Sequence, residues 1–371
     1  MLIFLLLIFL RPFICGLAFP ELNLVYSAAL LIFLTAYAVY IIPRRLFTAD
    51  LTALEVPCVV FWSVLLISTI FSRNFSASFA ELYKYISALG LFFIGASLSE
   101  KYKASVIRTV IFTGLVISLI AIHQYFFGFN HVFEYLKENK LSFPFAFEYI
   151  ERKRVFLPFV TPGVLGGYLA MIIPLTLLGK NRLWVTPLLC IALLFTKSPV
   201  AFFSLFCGGV VYFCLQGRFG RKGLVILAGI SLLIIAIFIW RSGAPKEYVR
   251  PAFSVVMRLS YWQESLNLIR AHPLVGVGPG NFNLQLSRYA HNSYLQILAE
   301  MGIFGLLSLI WIILRVFKFS FINLKKPIYR DRLTILLASS TVFLIHNFLD
   351  FTFFLPEVSF IWWLLLGMLI I

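Results

Sequence analysis

Apolar residues run along this chain in blocks and seldom alternate with polar ones. Segments 2–19, 22–42, 54–72, 80–98, 107–127, 158–179, 183–196, 199–216, 223–240, 293–314, 333–350 and 355–371 are apolar over most of their length. A helix needs about 20 such residues to cross a bilayer core, whereas the strands of a membrane barrel would alternate. The pattern predicts an all-α polytopic membrane protein with about twelve transmembrane helices, forming a single integral membrane domain over residues 1–371. Arg11 and Pro12 interrupt the first segment. No basic stretch precedes it and no small-residue cleavage site follows, so it reads as a span and not as a signal peptide.

Two long loops, 128–157 and 241–292, break the pattern. Within the second, Val255, Leu259, Trp262, Leu266 and Ile269 follow steps of four and three, the spacing of one helix face. This predicts an amphipathic helix over 254–270 at the membrane surface, with Arg258 and Arg270 on its polar flanks and Pro273 beyond its end. Gly276-Val277-Gly278-Pro279-Gly280 then turns the chain. Ser293 and Gln296 have the spacing of a capping box, which starts the next helix there and places His291 and Asn292 at its mouth. His346 and Asp350 are four residues apart, a separation that puts them on one helix face.

Composition sharpens this picture. Of 371 residues, 61% are apolar and 12% charged, with a mean hydropathy of +0.96; a soluble domain carries about 25% charged residues. Short basic loops at Arg44-Arg45, Lys101/Lys103/Arg108, Lys180/Arg182, Arg218/Arg221/Lys222 and Lys318/Lys325/Lys326/Arg330/Arg332 share one side. That side is cytoplasmic by the positive-inside rule. The long loops then lie outside, yet they are basic too, with Lys137, Lys140, Arg152, Lys153 and Arg154 in one and Arg241, Lys246, Arg250, Arg258, Arg270 and Arg288 in the other. Anionic lipid headgroups or an anionic substrate on the outer face would meet such charge; nucleic acid is not expected there despite the formal net charge of +16. No nucleotide-binding loop or HExxH helix is present. Of the aspartates Asp50, Asp331 and Asp350, only the last falls near the outer face, so no divalent-metal site is expected there. The cysteines Cys15, Cys58, Cys190, Cys207 and Cys214 all fall in apolar segments, without metal or pairing spacing, and read as packing residues. Asn74-Phe75-Ser76 is a formal glycosylation sequon.

The remaining polar groups carry the candidate chemistry. Arg258 on a helical platform can hold a phosphate through two parallel hydrogen bonds. His291 stands beside the positive end of a helix, which keeps its ring neutral, as a general base requires. Asp350, ionisable and at the edge of a span, is a candidate for orienting His291 or pairing with an arginine. Arg152-Lys153-Arg154 leads into the Gly/Pro-broken segment 158–179, and broken helices line cavities. Each feature also has a structural reading: a lid helix, a histidine satisfied in place, an ion pair.

Ordered motifs link these residues. They are R-x-F-x-x-F-x-x-P-x-x-x-G-x-Y-L at 154–169, T-x-S at 196–198, R-x-x-x-W at Arg258 and Trp262, P-L-x-G-x-G-P-G-N-F at 273–282, H-N-x-x-L-Q at 291–296, E-x-G-x-x-G at 300–305 and H-x-x-x-D at 346–350. Over 154–350 the pattern resembles the O-antigen ligase and polymerase family of bacterial membrane glycosyltransferases. The resemblance implies a C-type membrane glycosyltransferase fold with a helical periplasmic loop between spans nine and ten, multi-pass in the cytoplasmic membrane, with its active site on the outer face. It implies a glycan donor linked to undecaprenyl pyrophosphate, a lipid- or protein-linked acceptor, and no metal or other cofactor. His291 would be the base that activates an acceptor hydroxyl, Asp350 its support, and Arg258 a pyrophosphate ligand. Trp262, Gly278, Gly280 and Asn292 would hold the site in shape. Many members carry T-x-S-R-G at the turn after span seven; here Pro199 stands at the arginine's position, leaving Arg154, Lys197 and Arg288 to supply charge. A transporter or flippase of lipid-linked saccharide would carry charge deep in its spans, where this chain has Arg11 and Lys84. A non-catalytic polysaccharide-assembly protein would fit the change at Pro199.

Overall fold

The computed structural model describes residues 1–41, 52–138, 144–179, 181–217, 220–242, 251–284 and 287–371. Arg44, Arg45, Asp50, Lys140, Lys180, Arg218, Lys246 and Arg250 lie outside the described residues. Among the described residues all regular structure is helical. The long apolar runs favour this because a helix satisfies every backbone group within its own segment, as lipid demands.

The chain packs as two compact units. The first comprises Met1–Asn23, Ala104–Phe253 and Ala338–His346. It holds α1 (Leu2–Leu10), most of α5 (Glu100–His123), α6 (Phe129–Glu138), α7 (Pro144–Glu151), α8 (Pro162–Ile172), α9 (Arg182–Thr196), α10 (Pro199–Gln216) and α11 (Arg221–Ser242). The second comprises Leu24–Lys103, Ser254–Leu337 and Asn347–Ile371. It holds most of α2 (Pro20–Ile41), α3 (Thr52–Ile70), α4 (Phe75–Ser97), most of α12 (Pro251–Ala271), α13 (Ser293–Asn323), the first part of α14 (Pro327–His346) and α15 (Pro356–Gly367).

Each apolar segment of the sequence falls on a helix. Among the described residues five helical stretches, 20–40, 75–97, 100–131, 199–216 and 293–323, are long and apolar enough to cross a membrane, and six further apolar helices are shorter. The chain is thus built as an integral membrane protein. Local signals set the helix ends. Asn74, the sequon asparagine, caps α4 by accepting the Ala77 N–H at 3.1 Å. Thr161 caps α8 in the same way, accepting the Val164 N–H at 3.2 Å. Pro174 breaks that helix into a 3-10 turn over Ile173–Leu178, as its missing N–H requires.

Helix α13 is broken at Gly302, with φ 68° and ψ −173°. The break frees backbone groups that a straight helix would use internally. The Ala299 carbonyl accepts the Val277 N–H at 3.0 Å and the Glu300 carbonyl accepts the Gly278 N–H at 2.9 Å. Ile303 N–H returns to the Pro273 carbonyl at 2.9 Å, and Arg73 N–H donates to Val277 O at 3.0 Å. The glycine turn is therefore stitched to the broken helix by backbone bonds. A Cβ at residue 302 would overlap the Leu274 carbonyl, so only glycine fits.

Three expectations change. Helix α14 ends at His346, so His346 and Asp350 do not share a helix face. Asn347 turns the chain instead: its backbone O accepts Ser293 N–H at 2.9 Å and its Oδ1 accepts Phe353 N–H at 2.8 Å. The surface helix forms as α12, but the apolar stripe read from its sequence splits. Trp262 and Ile269 pack inward beside Tyr261, Met257 and Leu268 against Phe282, Leu284, Ala290 and Ala299. Val255, Leu259 and Leu266 are exposed, the side a membrane interface would take. Tyr261 and Ser265 turn inward in their place, the Ser265 hydroxyl satisfied by the Tyr261 carbonyl at 2.6 Å. Of the cysteines, Cys15 and Cys58 are buried and Cys207 half-buried, whereas Cys190 and Cys214 are exposed.

Candidate active site

In the second unit, the residues around His291 form one connected arrangement. His291 itself adopts a left-handed backbone, φ 51°, which a non-glycine residue holds only when its neighbours fix it. Residue 290 is held on both sides. Trp262 Nε1 donates to the Ala290 carbonyl at 3.1 Å, and Ala290 N–H donates to Gln296 Oε1 at 3.3 Å. Asn292 caps α13, its Oδ1 accepting the N–H groups of Tyr294 at 3.0 Å and Leu295 at 3.1 Å. The capping box read at Ser293 and Gln296 is thus corrected by one residue. With Asn292 in the cap, Ser293 donates to Asn347 Oδ1 at 2.6 Å and Gln296 reaches back to Ala290.

Rings pack against the imidazole. His291 stacks on Tyr261 with centroids 5.7 Å apart and meets the edge of Phe351 at 4.8 Å, while Tyr289 stacks on Phe351 at 4.2 Å. Burial among these groups pushes the His291 pKa down to about 4. The Asp350 carboxylate opposes that shift and the Arg258 guanidinium adds to it. The ring is neutral at pH 7. Asp350 is buried and oriented by Phe351 N–H, which donates to its Oδ1 at 2.8 Å. Arg258 Nη1 donates to Ser254 Oγ at 2.6 Å, one turn back along α12. Arg288 is exposed on the same loop as His291.

The glycine turn is confined as well. Gly278 and Gly280 have φ values of 96° and 72°, and a Cβ at either would strike Ser78 or Glu81. Ser78 Oγ donates to the Pro279 carbonyl at 2.8 Å, and Asn281 Nδ2 donates to Ser78 Oγ at 2.7 Å. Replacing Trp262 by Phe keeps the ring contacts but strands the buried Ala290 carbonyl. The expected cost is about 1–3 kcal/mol, read as a lower thermal unfolding midpoint of protein that still inserts.

Arg154 and Lys197 lie in the first unit. Arg154 is buried; its Nη1 meets both Glu148 carboxylate oxygens at 3.0 and 3.1 Å, and its Nε donates to the Thr196 carbonyl at 3.2 Å. Lys197 takes a left-handed backbone, φ 51°, and its Nζ donates to the Arg152 carbonyl at 2.6 Å. Lys153 and Lys197 stand 5.8 and 5.9 Å from the Tyr125 ring centroid. Burial, then Arg154, Arg152 and Lys153, pull the Lys197 pKa down to about 8, against a smaller opposing pull from Glu148. A polyanion would relieve that crowding of cations. Pro199, at the substituted position, opens α10, where its fixed φ and missing N–H cost nothing. His346, in the same unit, is fully buried against Gly167.

The structure thus groups Arg258, Arg288, His291 and Asp350 in one unit and Arg154 and Lys197 in the other. Four further residues shape these groups without having been singled out as site residues. Glu148 precedes the Arg152–Arg154 run and is its counter-charge; Gln296 was legible only as a cap; Asn347 was hidden in the H-x-x-x-D spacing. Glu300 had the clearest signal, a carboxylate inside segment 293–314. Among the described residues no three His, Cys, Asp or Glu side chains gather as a metal site.

Residues 184–310 match the model of a family described as O-antigen ligase. The matched stretch holds Lys197, Arg258, Trp262, Gly278, Gly280, Arg288, His291 and Asn292, and leaves Arg154 and Asp350 outside it. No curated protein matches the chain.

Proposed function

We propose, for a chain whose residues 184–310 match the O-antigen ligase family, that it transfers a glycan from undecaprenyl pyrophosphate to an acceptor hydroxyl at the outer face of the cytoplasmic membrane. It acts there as an O-antigen ligase or polysaccharide polymerase, with about twelve spans and α12 resting its exposed Val255, Leu259 and Leu266 in the headgroup region. The observation that carries this reading is His291, held neutral in a fixed backbone with Asp350 and Arg258 acting on its charge.

In the proposed step the acceptor hydroxyl gives its proton to His291 while its oxygen attacks the anomeric carbon. The bond from that carbon to the pyrophosphate oxygen breaks, its electron pair leaves with the pyrophosphate, and the configuration inverts. Asp350 stabilises the imidazolium that forms, which then loses its proton to water. Arg258 and Arg288 neutralise the charge developing on the leaving group. Fixed cations at the point where charge develops supply the kind of stabilisation that needs no metal.

The test is glycan transfer by purified protein in lipid bilayers, with undecaprenyl-pyrophosphate glycan as donor and EDTA present throughout. Arg258→Ala is expected to lower kcat by about 10²–10³-fold. Arg258→Lys should recover only part of the loss, since a point charge lacks the planar two-donor fork. Unchanged transfer by Arg258→Ala would overturn the assignment, as would donor movement across the bilayer with no transfer.

A further inference from the structure

We infer that Glu300 is a positioning residue for this site: its buried carboxylate clasps both ends of the loop that carries Arg288 and leads into His291. The effect on catalysis rests on the proposed role of His291; the clasp itself does not. Glu300 is 3% exposed on the first leg of α13, ahead of the break at Gly302. Its Oε1 accepts Gln296 Nε2 at 3.0 Å, and the Gly280 N–H reaches the same carboxyl. Gln296 Oε1 in turn accepts the Ala290 N–H at 3.3 Å. The carboxylate therefore touches residue 280 directly and residue 290 through one amide, closing the stretch between them.

The chemistry of the group suits this task. The two carboxyl oxygens match the two donors that face them, and either oxygen can accept where the NH2 of an amide cannot. An apolar residue would fill the space but strand both. Its backbone joins in, the Glu300 carbonyl accepting Gly278 N–H at 2.9 Å and Ser68 Oγ at 2.8 Å. The neighbouring carboxylate, Glu81, is engaged by Lys84 at 2.5 Å, which leaves Glu300 to the loop. An ionisable side chain within a membrane segment is costly to keep and marks function. The transfer step itself leaves Glu300 without a task.

The test pairs a single substitution with an exchange. In Glu300→Gln one of the two donors meets an NH2 group. In the double variant Gln296→Glu/Glu300→Gln every bond can be remade: the carboxylate at 296 accepts Ala290 N–H and the new amide, whose carbonyl accepts Gly280 N–H. Glu300→Gln is expected to lower kcat by about 100-fold, with the donor KM within about twofold of the wild type. The exchange should restore most of kcat. Carbethoxylation of His291 by diethyl pyrocarbonate, followed by mass spectrometry, reads the loop without any turnover. It should be faster in Glu300→Gln and return to the wild-type rate in the exchange. An unchanged kcat and carbethoxylation rate in Glu300→Gln, or an exchange no better than the single variant, would overturn the inference. Should His291→Ala retain transfer, the base assignment falls while the carbethoxylation rates still decide the clasp.

Discussion

His291→Ala is expected to lower glycan transfer by about 10²–10⁴-fold, the range over which a positioned general base acts, with membrane insertion unchanged. The measurement is kcat in reconstituted protein beside the amount of folded protein. The pH dependence gives the sign of the effect. Burial holds the free-enzyme pKa of His291 near 4, so the ring accepts a proton above that value and is already protonated below it. The acid limb of kcat/KM, which reports the free enzyme, should therefore fall near pH 4. The limb of kcat, which reports the complex, should lie higher, because a bound pyrophosphate favours the imidazolium. Asp350→Asn removes the charge that raises the His291 pKa and should move the kcat/KM limb to lower pH. A limb that does not respond to Asp350→Asn would separate the two residues.

Gly302→Ala is expected to cost more than about 3 kcal/mol, since glycine alone occupies this backbone region without strain and the new Cβ would overlap the Leu274 carbonyl. Accommodating it means separating Leu274 from α13, and with it the bonds from Pro273, Val277 and Gly278 to the broken helix. Thermal unfolding and limited proteolysis of the 273–292 segment measure the effect. Gly229→Ala on α11, where nothing stands within 4 Å of the new Cβ, should be near neutral. Equal behaviour of the two variants would show that the stitch does not hold the loop.

The sequence is most legible where one property dominates. Continuous apolar runs marked segments that proved helical, because in such runs little competes with the helix, whereas α6 and α7 formed inside a stretch read as loop. The Gly/Pro content of 158–179 marked a broken helix, and Pro174 breaks it. The reading failed where a long-range partner decided the outcome. Asn347 takes up the backbone and hydroxyl of Ser293, ends α14 four residues early and puts Asp350 in a turn. The same partnership moves the cap of α13 from Ser293 to Asn292. On α12, the spacing puts Val255, Leu259, Trp262, Leu266 and Ile269 on one face, yet Trp262 and Ile269 pack inward beside the Tyr261 ring while the other three stay exposed. The motifs drew attention to His291, Arg258 and Asp350 as chemistry. They did not reveal that Glu300, four residues beyond Gln296, ties together the backbone on which that chemistry rests.

The stitching of the glycine turn to α13 also defines what can be exchanged between relatives. Pro273, Val277 and Gly278 are bonded to Ala299, Glu300 and Ile303 through backbone atoms alone, so the junction is indifferent to most side chains but not to its register. A chimaera cut inside 279–298 would join halves of two different registers, even where both parents carry the same motifs. Cuts before 273 and after 303 would move the turn, the histidine loop and the first leg of the helix together, with these backbone bonds kept intact.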